Sequence, residues 1–108
     1  MRILTTDEYD HWINGLRNRE AKFRINRYFK KMLAGSRIVG DCKTVRSKVV
    51  EVRFNFGPGY RVYVTQEGEE LLLLLVGGDK STQSRDIAKA VALAKEWREG
   101  KGSANNRV

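Results

Sequence analysis

The fold is decided by residues 49–80, VVEVRFNFGPGYRVYVTQEGEELLLLLVGGDK. Apolar and polar residues alternate through residues 50–56 and again through residues 60–65, which is the pattern of two β-strands with one buried face. Gly57-Pro58-Gly59 between them predicts a tight turn, because glycine permits positive φ angles. A second turn at Glu67-Gly68 leads to a third, apolar strand. This stretch therefore predicts an antiparallel sheet at the centre of the domain.

Face matching selects the length of the first turn, because shifting a strand by one residue moves its side chains to the opposite face. A three-residue loop at Gly57–Gly59 pairs Phe56 with Tyr60, whereas a four-residue loop opposes apolar and polar positions. We therefore predict the three-residue loop, which places Arg53 opposite Tyr63. One face of the two strands then carries Glu51, Arg53, Asn55, Arg61, Tyr63 and Thr65.

The third strand contains five consecutive leucines, Leu71–Leu75, followed by Val76. A strand that is apolar on both faces is typical of an inner strand covered on both sides. Pairing through a two-residue turn places the odd-numbered leucines on the face of Val62 and the even-numbered leucines, with Val76, on the face of the arginines. Two arginines beside a sheltered apolar floor indicate an anion site, covered either by the last helix or by a partner protein.

Helices are predicted on both sides of this stretch in the chain. Thr5 and Glu8 have the spacing of a capping box, and the apolar periodicity that follows predicts a helix ending near Arg19. A second helix ends at Gly35, and the short connection between the two predicts an antiparallel helix hairpin. A third helix, capped by Ser81, Thr82 or Ser84, has an apolar face formed by Ile87, Ala90, Val91, Ala94 and Trp97.

The predicted fold class is α+β: a small antiparallel sheet of three to four strands, a helix hairpin on one face and a C-terminal helix. Residues 1–4 are a candidate edge strand, and residues 36–48 are predicted to be irregular and basic. Residues 1–99 form a single domain, and the small and polar composition of residues 100–108 predicts a flexible tail. The double glycine Gly77-Gly78 is expected to end the third strand and to let the backbone approach another group closely.

Composition excludes several classes of protein. Cys42 is the single cysteine, so the chain can form no internal disulfide and offers no cysteine pair for zinc. No apolar run approaches the roughly 18 residues of a membrane span, and the N-terminus lacks the apolar core of a signal peptide. We therefore expect a cytoplasmic protein without a membrane partner. No motif in the sequence indicates a metal or a cofactor.

The formal net charge of +8 is unevenly distributed. Residues 17–31 contain seven basic residues against one acidic residue, Glu20, and Arg37, Lys43, Arg46 and Lys48 continue the excess. A localised basic surface is typical of a polyanion binder, because binding releases the counterions condensed on phosphates. An acidic protein partner is the alternative explanation.

These residues resemble a known family. Val49–Arg53, Gly57–Tyr63, Leu73-Leu74 and Gly77–Gln83 are similar to motifs of the RelE/ParE superfamily of toxin–antitoxin toxins, in the HigB-like branch often called addiction-module killer proteins. The resemblance covers roughly residues 8–95. It implies a compact α+β domain and a cognate antitoxin, expected to be of helix-turn-helix type. For RelE-like members it also implies metal-free endoribonuclease activity against messenger RNA, usually at the ribosome.

The resemblance also assigns candidate site residues. Arg61 matches a phosphate-binding arginine of the RelE-type enzymes, Arg53 and Glu51 lie on the preceding strand, and Lys80 matches a basic residue after the last strand. In such metal-free cleavage the 2′-hydroxyl attacks the adjacent phosphate, and fixed guanidinium groups stabilise the charge that develops. Glu51 is the candidate base or an ion-pair partner of Arg53. The candidate RNA-binding residues are Tyr63, which could stack on a base or donate a hydrogen bond, and Asn55, Lys43, Arg46 and Lys48.

One departure from the pattern keeps other functions open. RelE-type enzymes usually carry a tyrosine or histidine near the C-terminus, whereas here the only aromatic residue after Tyr63 is Trp97 and the only histidine is His11. A ParE-type toxin that poisons DNA gyrase, and a non-catalytic RNA-binding module, are therefore the alternatives to an RNA-cleaving toxin.

Overall fold

The computed structural model describes residues 1–35, 38, 40–106 and 108. Across these residues, five strands form one mixed sheet in the spatial order β1-β5-β4-β3-β2. The strands are β1 (Arg2–Thr5), β2 (Cys42–Arg46), β3 (Val49–Phe54), β4 (Tyr60–Glu67) and β5 (Leu71–Asp79). The α-helices are α1 (Asp7–Asn14), α2 (Arg19–Lys31) and α3 (Gln83–Arg98), and single 3-10 turns follow α2 (Met32–Ala34) and precede α3 (Lys80–Thr82). The predicted α+β class and C-terminal helix are confirmed.

The sheet separates two apolar clusters. On one face, α1 and α2 pack against β-strand residues that include Val62, Leu72 and Leu74. On the other face, Ala90 and Ala94 of α3 pack against a cluster with Tyr63, Leu73, Leu75 and Val76. The strand β5 is therefore covered on both sides, as its run of leucines predicted, and the cover on the second face is the chain's own α3. None of the helices formed by the described residues is long and apolar enough to cross a bilayer.

The predicted antiparallel sheet of three to four strands is wrong in strand number and in direction. β2 lies within residues 36–48, the segment predicted to be irregular, and pairs antiparallel with β3. Its sequence, CKTVR, is exposed at three of its five residues and carries two cations, which is how proteins protect an edge strand, so it shows no apolar alternation. The candidate edge strand at the N-terminus is confirmed as β1, but it runs parallel to β5, with Ile3 opposite Leu72. Arg37 lies outside the described residues.

The predicted N-terminal helix hairpin also differs. α1 ends at Asn14, several residues before Arg19, and its cap is Thr6 rather than Thr5, because the Thr6 hydroxyl accepts a hydrogen bond from the Tyr9 amide. α1 packs along β5, and the two helices meet where the rings of Tyr9 and Phe29 lie 6.5 Å apart. α1 is therefore docked along β5, and α2 contacts the sheet through the rings of Tyr28 and Phe29 against Phe54.

The first hairpin differs from the predicted register by two residues. Phe54, not Phe56, pairs with Tyr60, so the loop contains the five residues 55–59. Gly57 and Gly59 both adopt positive φ, as the turn required. A shift of two residues keeps every side chain on its predicted face, because side chains alternate with a period of two.

The second hairpin differs from the predicted register by three residues, because Gln66 pairs with Leu72 instead of Glu69, and a shift by an odd number reverses the faces of the leucines. Glu67 pairs with Leu71 across a three-residue loop, so the even-numbered Leu72 and Leu74 face α1 and α2, and Leu73 and Leu75 face α3. A bulge then adds one residue to β5 between the partners of Tyr63 and Val64. Because of this bulge Val76 returns to the face of the arginines, where it was predicted.

The double glycine lies inside β5 and does not end it, since the strand continues to Asp79. The predicted close approach is confirmed on both sides of the sheet. The Trp12 indole lies over Gly77, where an added Cβ would come within 2.0 Å of the ring, and the Asp86 carboxylate lies over Gly78. Two side chains from different helices therefore contact bare backbone at this point.

Gly77→Ala is expected to lower the free energy of unfolding by at least about 2 kcal/mol, because the new methyl group overlaps the Trp12 ring. Urea denaturation followed by circular dichroism measures this. In the double variant Gly77→Ala/Trp12→Ala the overlap is absent. The decrease in the free energy of unfolding should therefore be smaller than the sum of the decreases in the two single variants. Additive losses would contradict the contact.

The segment predicted to be a flexible tail is attached to the sheet. The backbones of Asn105 and Thr5 exchange two hydrogen bonds, so Asn105 forms a β-bridge on the free side of β1. The Asn105 side-chain amide also donates to the carboxylates of Asp7 and Asp10 at the start of α1. These contacts cover the C-terminal end of the edge that β1 presents.

Candidate functional site on the arginine face

The arginine face is the surface of β3 and β4 that carries Glu51, Arg53, Arg61 and Tyr63. Arg53 and Arg61 are direct cross-strand partners, so their side chains project from the same side of the sheet. Like charges in this position destabilise a sheet. The arrangement therefore requires negative charge nearby, and two carboxylates supply it.

The first carboxylate is Glu51, whose side chain is only 1% exposed. Arg61 Nη1 donates to its Oε1 at 2.7 Å. The Tyr63 hydroxyl and Gln83 Nε2 donate to its Oε2 at 3.2 and 2.9 Å. A buried carboxylate is tolerated when it is paired and hydrogen-bonded, and these three donors provide both. Gln83 is the first residue of α3, so Glu51 also ties this helix to the sheet.

The second carboxylate is Asp41, which precedes β2. Arg53 Nη2 donates to Asp41 Oδ1 at 2.8 Å, and Arg53 Nε lies 4.0 Å from Glu51. The side chains of Arg53 and Asp41 are 35% and 43% exposed, whereas that of Arg61 is 14% exposed. Exposed ion pairs contribute little stability, so an anion from solution can replace Asp41 at Arg53.

The geometry favours a positioning role for Glu51 over that of a general base. Its carboxylate is only 1% exposed and already accepts three hydrogen bonds, so a substrate hydroxyl has no path to it from solution. The Nε atoms of Arg53 and Arg61 are buried without a hydrogen-bond partner in the described part of the chain. Fixed guanidinium groups of this kind are suited to stabilising the negative charge of a phosphate.

The structure places the other predicted site residues unequally. Tyr63 is fully buried under α3, which leaves no ring face for a nucleobase, and its hydroxyl serves Glu51 instead. Lys80 is exposed in the 3-10 turn before α3, where it borders a shallow depression with Pro58. Asn55 is outside the strands and donates to Asp41 at 3.4 Å.

The basic residues of β2 extend the arginine face. Lys43 and Arg46 are opposite Glu51 and Val49 in the register, so both share this face, and both are exposed. Lys48 lies in the two-residue turn between β2 and β3 and has a positive φ of 64°. Together with Arg53 they form a basic strip along the uncovered part of the sheet.

Sequence reasoning missed three residues of this site. Asp41 lies in a segment without a recognisable strand or helix pattern. Gln83 lies in the Gly77–Gln83 motif, but no role was predicted for it. Asp86 is buried in the first turn of α3, where it accepts a hydrogen bond from the Thr82 hydroxyl and lies over Gly78. The signal for Asp86 was its position, because a carboxylate in the first turn of a helix interacts favourably with the helix dipole.

Comparison with known proteins identifies one relative. The chain is 43% identical over 96 residues to a protein of Haemophilus influenzae strain Rd described as an uncharacterized protein, and the match covers 89% of this chain and 95% of the relative. The chain belongs to the family of this protein. Because the match covers nearly all of both chains, the two members of the family share a domain of about the same length. No protein-family model and no solved structure matches the chain.

The full burial of Tyr9 and Tyr63 and the partial burial of Tyr28 make the stability of the protein sensitive to alkaline pH. The pKa of Tyr63 is raised above its ordinary value by burial and then by the negative charge of Glu51. Burial also raises the pKa of Tyr9 and of Tyr28. Above the ordinary tyrosine pKa of about 10, the unfolded chain releases protons that the folded chain retains. The contribution of these groups is therefore complete below pH 10 and is lost as the pH rises further.

The free energy of unfolding is thus expected to fall as the pH is raised from about 10, by up to about 1.4 kcal/mol per pH unit for each of Tyr9 and Tyr63 and by less for the half-buried Tyr28. Urea titrations at a series of pH values between 8 and 11.5, run at roughly constant ionic strength, measure this slope. Tyr63→Phe removes one titrating group and should make the slope shallower. An unchanged slope in this variant would contradict the assignment.

Proposed function

We propose that the chain is the toxin of a toxin–antitoxin module and acts as a metal-free endoribonuclease on messenger RNA, with Arg53 and Arg61 at the scissile phosphate. The observation that supports this proposal most strongly is that these two arginines are cross-strand partners on one face and are held there by a buried carboxylate. An arrangement that destabilises a sheet is retained most readily where it serves function.

In the proposed reaction the 2′-hydroxyl oxygen attacks the adjacent phosphorus, so the new bond is O2′–P and the broken bond is P–O5′. The products are a 2′,3′-cyclic phosphate and a 5′-hydroxyl end. The 2′-hydroxyl proton passes to solvent water, and the leaving 5′ oxygen takes a proton from water. Arg53 and Arg61 stabilise the charge on the non-bridging oxygens, and Lys80 neutralises the phosphate or the leaving oxygen.

The roles of the two arginines follow from their surroundings. Arg53 is the more exposed of the two, and its partner Asp41 is also exposed. Arg53 therefore binds the incoming phosphate in place of the Asp41 carboxylate. Arg61 is fixed by Glu51, with Tyr63 and Gln83 fixing Glu51 in turn. Such preorganised charge stabilises a transition state without reorganisation during the reaction.

Resemblance to the RelE/ParE superfamily supplies the other parts of the proposal. These are a cognate antitoxin of helix-turn-helix type, messenger RNA bound at the ribosome as the substrate, and a cytoplasmic site of action. Lys43, Arg46, Lys48 and Asn55 border the arginine face and are the proposed contacts to the RNA backbone.

A ParE-like gyrase poison is the second candidate, and a specific observation favours it. Glu51 is buried beneath its hydrogen-bond donors, and Tyr63 has no exposed ring. The only histidine, His11, lies on α1, which packs on the opposite face of the sheet. Among the described residues the arginine face therefore offers charge stabilisation without an accessible general base.

Inducible expression distinguishes the two candidates. An RNA-cleaving toxin should arrest growth while messages are lost and a DNA-damage reporter stays silent. A gyrase poison should arrest growth with intact messages and an induced reporter. The proposal requires the first result, and the second result would replace it with the alternative.

A further inference from the structure

The segment that contains α2 carries most of the charge excess of the chain and takes no part in the arginine face. Residues 17–31 hold seven basic residues and one acidic residue, which accounts for six of the eight net positive charges. α2 packs on the face of the sheet opposite α3. A second basic surface therefore lies on the other side of the molecule from the proposed catalytic residues.

Helical periodicity decides which side chains this surface presents. Ala21, Ile25 and Phe29 are buried against the sheet. The side chains on the opposite side of the helix project to solvent. Arg19, Phe23 and Arg27 follow one another there at four-residue steps, and Lys30 lies on the same side. Phe23 is 63% exposed, although a large apolar side chain is ordinarily placed inside.

The cations around Phe23 are uncompensated. No acidic side chain forms an ion pair with Arg19, Arg27 or Lys30 in the described part of the chain. Arg24 is different, because its guanidinium lies 3.9 Å from the centre of the Phe56 ring. The surface thus consists of one exposed aromatic ring between cations that are free to bind an anion.

We propose that the outer face of α2 binds single-stranded RNA, with a base stacked on Phe23 and phosphates bound by Arg19, Arg27 and Lys30. Charge complementarity selects a polyanion, and the exposed ring selects a strand whose bases are unpaired and can stack. A protein interface would present a larger apolar cluster, whereas Phe23 is a single ring among charges. This inference concerns a second surface and does not depend on whether the arginine face cleaves RNA.

Binding of a fluorescent 12-nucleotide 2′-O-methyl RNA, which 2′-hydroxyl attack cannot cleave, tests the proposal by fluorescence anisotropy. Phe23→Ala should raise Kd by about 5- to 100-fold, since one base–aromatic stack is lost. Arg19→Gln/Arg27→Gln should reduce the slope of log K against log salt by about 1.4, since two phosphate contacts to a single strand are lost. Leu33→Ala, at the other exposed large apolar residue, is the matched control and should leave Kd unchanged.

The remaining outcomes are decisive in either direction. RNA binding that depends on the two arginines but not on Phe23 would contradict stacking of a base on Phe23. The same would follow if Phe23→Ala weakened binding of a duplex of the same sequence as much as binding of the single strand. Loss of poly-glutamate binding in Phe23→Ala, with RNA binding intact, would assign the surface to an acidic protein instead. Arg53→Gln, assayed in parallel, separates the two proposals. Because Arg53 lies on the other face of the sheet, RNA binding by this variant should still be weakened by Phe23→Ala.

Discussion

Arg53→Gln is expected to reduce RNA cleavage by about 100-fold or more while the protein remains folded. The rate falls because one of the two guanidinium groups at the phosphate is lost. The fold persists because the ion pair between Arg53 and Asp41 is exposed on both sides and contributes at most about 1 kcal/mol. Cleavage of a messenger RNA by purified wild type and variant, in the presence of ribosomes, measures the rate, and urea denaturation measures stability.

Two variants control this experiment. Arg2→Gln makes the same chemical change at an exposed position of β1, at the far edge of the sheet, and should cleave at the wild-type rate. Asp41→Asn removes the protein's own partner of Arg53 and should cleave at least as fast as wild type. Equal rates for wild type and Arg53→Gln would remove Arg53 from the reaction.

Arg61→Ala is expected to lower the free energy of unfolding by about 3–5 kcal/mol, which is a structural effect rather than a catalytic one. Arg61 is the ion-pair partner of Glu51 at 2.7 Å, and Glu51 is 1% exposed, so the substitution leaves a buried carboxylate without its cation. Loss of toxicity in this variant alone would therefore say little about catalysis.

A double-mutant cycle separates the two effects. Arg61→Gln and Glu51→Gln should each destabilise the protein, and the double variant should lose less than the sum, because neither charge is then left unpaired. Urea denaturation of the four proteins measures the coupling. Arg61→Lys keeps the charge but not the planar donor, so it should remain folded with reduced cleavage. A loss below about 1 kcal/mol in Arg61→Gln would contradict the buried pair.

The faces of β3 and β4 could be predicted from the sequence because their apolar and polar residues alternate. The register was wrong by two residues, yet Arg53 and Arg61 still share a face, since a shift of two preserves the alternation. The structure places them directly opposite one another, which is closer than the predicted register allowed.

The faces of β5 could not be predicted in the same way. A run of five leucines carries no information about its own register, because a shift of one residue replaces leucine by leucine. Only the length of the second turn and the bulge near Val76 decide which leucines face α3. Local sequence does not fix either feature.

The hydrogen-bond network around Glu51 lay beyond sequence reasoning for another reason. Polar alternation placed Glu51 and Tyr63 on a face that the last helix or a partner protein was expected to cover, but it did not indicate that α3 brings Gln83 to Glu51. Asp41 reaches Arg53 through the pairing of β2 with β3, in a segment that showed no strand pattern. Both contacts depend on how distant elements pack, so they follow from the tertiary structure alone.

Mapping of RNA 5′-hydroxyl ends after induction of wild type and of Arg53→Gln at equal protein levels tests the central claim most directly. The proposed chemistry predicts new 5′-hydroxyl ends within translated messages, each matched by a 2′,3′-cyclic phosphate on the upstream fragment, for wild type and about 100-fold fewer for the variant. Growth arrest by wild type with no new 5′-hydroxyl ends would show that the two guanidinium groups do not act on a phosphodiester.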